Sequence, residues 1–209
     1  MNIKQKLTWA FAIIACLPVV LVATLVVLNL RSDAREGFVD SSGREIRQVS
    51  NAMQLFFDGI SQNVEYLAKQ PLITNSDDSL KTYMNANAAS IPQGEMDKKV
   101  FGFLQDLGNA HPSYAYAILG TAAGGYVSWP DDAKLANYDP RQRPWYKAAQ
   151  AKPGKPLRTE AYYWAENDTS YVSTVRTIDN KLGTNGGVVS IDVSLKQLTE
   201  LVKQIKLGE

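Results

Sequence analysis

One cysteine and one histidine are all that these 209 residues hold for thiol or imidazole chemistry. Cys16 stands inside an apolar run, so an intrachain disulfide is excluded and thiol reactivity is not expected. His111 has no cysteine beside it and no carboxylate at ligand spacing, which argues for a loop residue at a helix end and against a metal site. A Ser-His-Asp triad would have to use this one imidazole, and no nucleophile-elbow motif accompanies it. With neither an activated nucleophile nor paired catalytic carboxylates, the chain is not expected to be an enzyme, and no cofactor is implied. An excess of charge of one sign is lacking too, since 22 basic residues face 21 acidic ones. Without a basic stripe, nucleic acid is not an expected partner; without an acidic tract, no disordered tail is expected. The stretch Gly120-Thr121-Ala122-Ala123-Gly124-Gly125 is followed by no Gly-Lys-Ser or Gly-Lys-Thr, so it reads as a turn and not as a phosphate cradle. The sequon Asn167-Asp168-Thr169 is short and common enough to be chance.

Apolar residues, by contrast, make up 45% of the chain, enough for a packed core. Leu7 to Leu30 contains no charged residue; as a helix it would cover roughly 36 Å, more than the roughly 30 Å hydrocarbon layer of a membrane. A cleaved signal peptide would have an apolar core of about 7 to 15 residues and a small-residue cleavage site. Arg31-Ser32-Asp33-Ala34-Arg35 is a poor site, so a retained anchor is expected, with Pro18 tolerated in mid-span. Lys4 and Lys6 favour a cytoplasmic N-terminus, against the weaker pull of Arg31 and Arg35, which puts everything after residue 31 outside the cytoplasm.

From Ser32 to Lys69, Val39, Ile46, Val49, Met53, Phe56, Ile60, Val64 and Leu67 recur at spacings of three, four or their sum, which predicts a long helix ended by Pro71. Such a helix exceeds what a small domain can cover. Part of its stripe is therefore expected to meet a second copy, giving a homodimer, although Gly37, Gly43 and Gly59 loosen it. After a break at Pro71 to Asp78, short helices are expected from Ser79 to Ala89 and from Pro92 to about Asn109. Tyr114 to Leu119 and Tyr126 to Trp129 read as a hairpin, and Arg158 to Trp164, Tyr171 to Ile178 and Gly187 to Val193 as three further strands. Short connections favour antiparallel neighbours and an α+β layer fold. In the last strand Val188, Ser190, Asp192 and Ser194 share one face and Val189, Ile191 and Val193 the other, so Asp192 leaves the apolar side.

The densest chemistry lies in Tyr138-Asp139-Pro140-Arg141-Gln142-Arg143-Pro144-Trp145-Tyr146. Pro144 suits the first position of a short helix, which holds Arg143 just before it and Trp145 and Tyr146 in its first turn. A guanidinium fits a carboxylate with two parallel bonds, and an ammonium needs a carboxylate, here Asp192, with an aromatic wall. An aromatic loop closing a core, with Arg143 paired to Asp139, is the plainer alternative. The order Tyr138, Arg143, Trp145, Tyr146, completed by Asp192, resembles the ligand motif of the double Cache sensor domains of bacterial methyl-accepting chemotaxis proteins, the amino-acid-sensing class.

That resemblance implies a PAS-like (Cache) antiparallel sheet with flanking helices behind a transmembrane helix and a long stalk helix. It also implies an inner-membrane location with the sensor domain in the periplasm. The corresponding organisation is 1–6 cytoplasmic, 7–30 transmembrane, 31–70 stalk and dimer contact, and 71–195 the membrane-distal ligand-binding module. Residues 196–209 would start a connection to a membrane-proximal module. The implied function is a chemotaxis receptor's sensor for a free L-amino acid. Arg143 and Trp145 would take the α-carboxylate; Asp192, Tyr146 and Tyr138 would take the α-ammonium. Ser128 and Trp129 are candidates for the pocket rim, and Tyr162 and Trp164 for its further lining. In Arg158-Thr159-Glu160-Ala161-Tyr162-Tyr163 this chain has Ala161 where relatives carry proline, and Trp164 where they place an acid. Glu166 or Asp168 is left to substitute, or Trp164 to narrow the pocket. A histidine kinase or diguanylate cyclase could carry the same sensor, and an amine or organic acid could be the ligand instead.

Overall fold

The computed structural model describes residues 2–76, 79–85, 92–130, 135–179 and 185–206. The chain divides into two units, Met1–Ser50 and Asn51–Glu209. A helix, α1, runs Ile3–Lys69 with Pro18 inside it. In the first unit its apolar side chains, among them Leu17, Val22, Leu25 and Leu28, are exposed, and the stretch is long and apolar enough to cross a membrane.

In the second unit the same helix does what its periodicity predicts from Met53 onward. Phe57, Ile60, Val64 and Leu67 are buried on the unit's own core, and Met53 and Phe56 pack partly against it. Farther up the stripe, Val39 and Ile46 remain exposed. A four-residue helix, α2 (Pro71–Thr74), follows. The expected helix from Ser79 to Ala89 is not found in its described part. Residues 79–85 run extended instead, with bridges Thr82↔Gly125 and Tyr83↔Tyr138. Their backbone groups bond to neighbouring chain segments, Tyr138 N to Tyr83 O at 2.7 Å and Tyr126 N to Lys81 O at 2.9 Å, and Leu80 and Tyr83 are buried. A surface-like polar sequence thus satisfies its hydrogen bonds sideways. Residues 86–89 of that expectation, with Asp77, Asp78 and Asp131, lie outside the described residues.

The next helix, α3, spans Glu95–Ala110, opening after Gly94 and so three residues beyond Pro92. Buried Asp97 ties its start down, accepting from Gly94 N at 2.8 Å and from Lys81 N at 2.9 Å. His111 caps its far end, as expected of a helix-end residue, with Nδ1 2.8 Å from Leu107 O and its ring stacked on Tyr114.

Six strands then form one sheet: β1 (Tyr116–Thr121), β2 (Tyr126–Trp129), β3 (Leu157–Arg158), β4 (Tyr162–Trp164), β5 (Thr169–Asp179) and β6 (Asn185–Ser194). The order is β2-β1-β6-β5-β3, with β4 also on β5, and the pairings are antiparallel as short connections require. The single strand expected from Arg158 to Trp164 is split. Thr159 N bonds Ser173 O at 2.8 Å, while its hydroxyl, and not its backbone carbonyl, accepts from Ser173 N at 3.1 Å, so the ladder breaks there. The helix α5 (Leu195–Lys206) leaves the end of β6.

Alternation on the strands separates two layers. Ala117, Leu119, Val127, Val189, Ile191 and Val193 meet α1 and α3 on one face. The other face, with Ile118, Tyr126, Val175 and Val188, carries the motif loop and the helix α4 (Pro144–Ala151). On the helical face Gly108 of α3 lets the Trp129 ring in so closely that an added Cβ would lie 2.1 Å from it. Gly108→Ala is expected to destabilise by about 2 kcal/mol through overpacking, read by urea unfolding in detergent. On the same face Arg176 Nε lies 2.7 Å from Glu65 Oε2 of α1, an ion pair whose N–H is not aligned as a hydrogen bond. Glu65→Ala leaves that buried guanidinium without its counter-charge. We expect a loss of about 3 kcal/mol in the same measurement.

Candidate functional site

The motif loop is built from its own sequence. Asp139 caps a single 3-10 turn, Pro140–Gln142, by accepting from Arg141 N at 2.9 Å. The same carboxylate takes Arg141 Nε at 2.9 Å on Oδ1 and an Arg141 terminal nitrogen at 2.9 Å on Oδ2, a bidentate pair. Hydrogen bonding to Arg141 holds the Asp139 carboxyl below its usual range. The acid that could have paired with Arg143 is therefore engaged elsewhere. Arg141 also reaches Ala122 O at 3.3 Å, fastening the loop to the β1–β2 turn.

Arg143 is the residue before α4, extended at φ −80° and ψ 150°, with Pro144 in the first turn as its geometry favours. Its guanidinium carbon sits 4.3 Å from the Trp164 ring centroid and 5.2 Å from that of Tyr138. Its Nε is buried and meets no hydrogen-bond acceptor among the described residues. Trp145 and Tyr146, both buried, turn inward from α4 and lie edge to face at 5.6 Å. Gly120 of β1 makes room for them: a Cβ there would stand 2.8 Å from the Trp145 ring.

Across from this loop a small cavity opens on the sheet, lined by Tyr116, Ile118, Tyr126, Tyr138, Trp145, Tyr162, Trp164, Tyr171 and Asp192. Asp192 projects from β6 on the face predicted for it. Its Oδ1 accepts from Ser190 Oγ at 2.6 Å and its Oδ2 from the Tyr162 hydroxyl at 3.0 Å. The Tyr162 hydroxyl also lies 3.0 Å from Ser173 Oγ. Burial pushes the Asp192 carboxyl above its ordinary range, opposed by its bonds to Ser173, Ser190 and Tyr162. Burial likewise raises the Tyr162 phenol, and the Asp192 charge adds to that.

Tyr138 connects the two charged groups. Its phenol is raised chiefly by burial; hydrogen bonding to Trp145 and the positive charge of Arg143 lower it, and the negative charge of Asp192 raises it again. One aromatic wall thus stands within electrostatic reach of a guanidinium and a carboxylate. An arrangement of this kind can hold a small molecule carrying charges of both signs.

Of the residues singled out from sequence, Tyr138, Trp145, Asp192, Tyr162 and Trp164 line the cavity together. Arg143 lies against two of its walls. Tyr146 packs beside Trp145 near Gly120 and is not among the lining residues. Ser128 donates to Pro130 O at 3.2 Å, and Trp129 packs with the α1–α3 layer, so neither is in the lining. Asp168 accepts from the exposed Tyr163 hydroxyl at 2.8 Å and does not face the cavity as a substitute acid. The Glu166 side chain lies outside the described residues.

Sequence reasoning missed Tyr116, Ile118, Tyr126 and Tyr171 in the lining, and Ser173 and Ser190 around Asp192. The signal for two of them is register: Tyr116 on β1 and Ser173 on β5 are the direct cross-strand partners of Asp192. Ser190 is two residues from Asp192 on the same strand face.

Known proteins match part of this chain. A profile of the methyl-accepting chemotaxis protein-like first PDC sensor domain matches residues 103–200. The methyl-accepting chemotaxis protein McpB of Bacillus subtilis is 39% identical over 90 residues, 43% of this chain and 13% of that protein. This chain therefore spans a small part of the length of such relatives. The ligand-binding domain of the Pseudomonas aeruginosa PAO1 amino acid chemoreceptor PctC, solved in complex with GABA, superposes with a TM-score of 0.52 at 28% identity, covering 74% of this chain and 62% of that one. The ligand-binding domain of the Pseudomonas fluorescens chemoreceptor CtaA, solved with L-valine, gives 0.53 at 25% identity over 73% and 59%. The long N-terminal apolar helix and the antiparallel sheet with flanking helices match these Cache-like domains. Fold and matched segment agree in what residues 103–200 of this chain are similar to: the first PDC sensor domains of the methyl-accepting chemotaxis protein type.

Proposed function

We propose that this chain is the extracytoplasmic sensor module of a membrane-anchored chemoreceptor, and that its cavity binds a free amino acid by both charged ends. The observation that carries the reading is that buried Asp192 and Arg143 both stand within electrostatic reach of Tyr138, Arg143 having a buried Nε that meets no acceptor among the described residues. Asp192, with Tyr138, takes the α-ammonium, and Arg143, with Trp145, takes the α-carboxylate; Tyr146, outside the lining, backs Trp145. Charge-assisted bonds contribute about 1.5 to 3 kcal/mol each, and micromolar binding requires about 8 kcal/mol in total, so two such ends with some aromatic burial suffice. The amino-acid complexes of similar domains support the same reading. A thermal-shift screen of the full chain in detergent against amino acids, amines and organic acids tests it, because a bound ligand raises the melting temperature by linkage. Amino acids are expected to give the largest shifts; shifts from organic acids alone would contradict it.

One observation favours a second ligand class. Asp192 lines the cavity whereas Arg143, against the Tyr138 and Trp164 rings, is not among its lining residues, the placement expected for an amine without a carboxylate. The same screen separates the two, since an amine site would respond to the decarboxylated compound at least as strongly.

Binding should depend on pH through Asp192. With its folded value raised above the unfolded 3.8, the empty site's contribution to stability is full below 3.8 and is lost as pH rises through the raised value. A bound ammonium favours the carboxylate instead. The ligand-induced rise in melting temperature is therefore expected to be largest above the raised value and to shrink as pH falls through it.

The exposed Val39 and Ile46 on α1 support dimerisation through a second copy of the helix. Sedimentation in detergent is expected to give a dimer that Val39→Glu with Ile46→Glu dissociates.

A further inference from the structure

Arg141 stands two residues before Arg143 and is absent from the cavity lining. We propose that it is a positioning residue of the site, a role that rests on the amino-acid reading: its guanidinium clasps three chain segments and thereby holds Arg143 where a ligand carboxylate meets it. Arg141 acts on the ligand only through the loop it fixes.

Every nitrogen of the Arg141 fork has a partner. Nε meets Asp139 Oδ1 at 2.9 Å, and Nη2 is shared between Asp139 Oδ2 at 2.9 Å and the Met84 sulfur, a weak acceptor, at 3.3 Å. Nη1 donates to Ala122 O at 3.3 Å. Each partner adjoins a part of the site. Asp139 follows Tyr138 and opens the turn Pro140–Gln142 that ends at Arg143. Ala122 lies in the turn between β1, which carries Ile118, and β2, which carries Tyr126. Met84 follows Tyr83, whose carbonyl accepts from Tyr138 N at 2.7 Å. The Tyr83 ring meets Tyr126 edge to face at 6.0 Å, and Tyr126 meets Tyr138 at 4.8 Å. One side chain thus fastens the segments behind the Tyr126–Tyr138 wall to the turn that delivers Arg143.

The clasp adds little to folding stability, because the Arg141 side chain is 38% exposed and that of Asp139 23%. Its effect falls on Arg143. The Arg143 Nε meets no acceptor among the described residues and its guanidinium rests on the Trp164 and Tyr138 rings, so its place depends on the turn before it. A loop already held in its binding conformation spares the ordering cost that association otherwise carries. Lysine cannot take over, because a compact ammonium lacks the planar fork that grips a carboxylate with two bonds and keeps donors for the other segments.

The test uses the full chain in detergent, with Arg141→Lys and Arg141→Gln beside the wild type. Whichever of the twenty common amino acids gives the largest thermal shift is titrated calorimetrically, together with its decarboxylated amine. Both variants are expected to melt within about 5 °C of the wild type. Both are expected to lose at least about tenfold in affinity for the amino acid and less than about threefold for the amine, whose ammonium is met by Asp192 on β6. Hydrogen exchange of the ligand-free chain is expected to quicken in residues 79–85, 120–125 and 138–146 and not in β5 or β6. Undiminished amino-acid affinity in either variant overturns the role of Arg141 and leaves the amino-acid reading standing. Equal losses for the two ligands, with exchange quickened throughout the sheet, make Arg141 merely structural and overturn its role as well. A wild type that none of the twenty shifts overturns both the inference and the reading beneath it.

Discussion

Asp192→Asn is expected to weaken amino-acid binding by at least about 100-fold at neutral pH while leaving the empty domain as stable as the wild type or more so. The two effects have opposite signs because burial makes the Asp192 carboxylate unfavourable in the empty fold, which is what its raised value records. An amide of the same shape removes that charge and keeps partners within reach, since Ser190 and the Tyr162 hydroxyl already stand at 2.6 and 3.0 Å. A ligand ammonium, however, then enters a desolvated site with no counter-charge. Titration calorimetry reads the first effect and urea unfolding the second. A variant that binds within threefold of wild type would remove Asp192 from the ammonium's recognition. A variant that unfolds more easily would show that the carboxylate holds the sheet together.

Trp145→Ala is expected to cost about 3 to 5 kcal/mol of folding stability. The indole is 2% exposed, lies against Gly120 of β1 and Tyr146, and forms part of the cavity wall. Its removal opens a void between α4 and the sheet, so stability and binding are expected to fall together. Urea unfolding checks the magnitude. A loss below about 1 kcal/mol would mean that the loop is free to collapse into the space.

The contrast between these two substitutions follows the way the molecule is written in its sequence. Features with a local cause were legible. The period of Phe56, Ile60, Val64 and Leu67 specifies the core face of α1, Pro144 marks the start of α4, and alternation puts Asp192 on the face away from Ile191 and Val193. Features that depend on pairing were not. Residues 79–85 have a helical composition and are extended because Thr82 and Tyr83 find partners at Gly125 and Tyr138, more than 40 positions away. Tyr116 and Ser173 enter the site only through the register that sets them beside Asp192. Asp139 could be weighed as a partner for Arg143, but only the turn geometry gives it to Arg141. The candidate site was thus half visible: Tyr138, Arg143, Trp145 and Asp192 carry a motif, and Tyr116, Tyr126 and Tyr171 in the lining do not.

On the proposed reading, recognition lies on the sheet face opposite α1. The intervening strand β6 turns Asp192 toward the cavity and Ile191 and Val193 toward the helix. A shift of β6 on ligand binding would therefore be felt by the α1 layer without any contact between ligand and helix.

In the proposed complex both ends of one small zwitterion are held at once. Its most direct test is a calorimetric titration of the full chain and of Arg143→Ala with alanine or valine and with the matching decarboxylated amine. The account predicts that the wild type binds the amino acid at least about tenfold tighter than the amine, and that Arg143→Ala lowers the first affinity to the level of the second, which is itself unchanged. An amine that binds as tightly as the amino acid in the wild type, or an Arg143→Ala variant with undiminished amino-acid affinity, would contradict it.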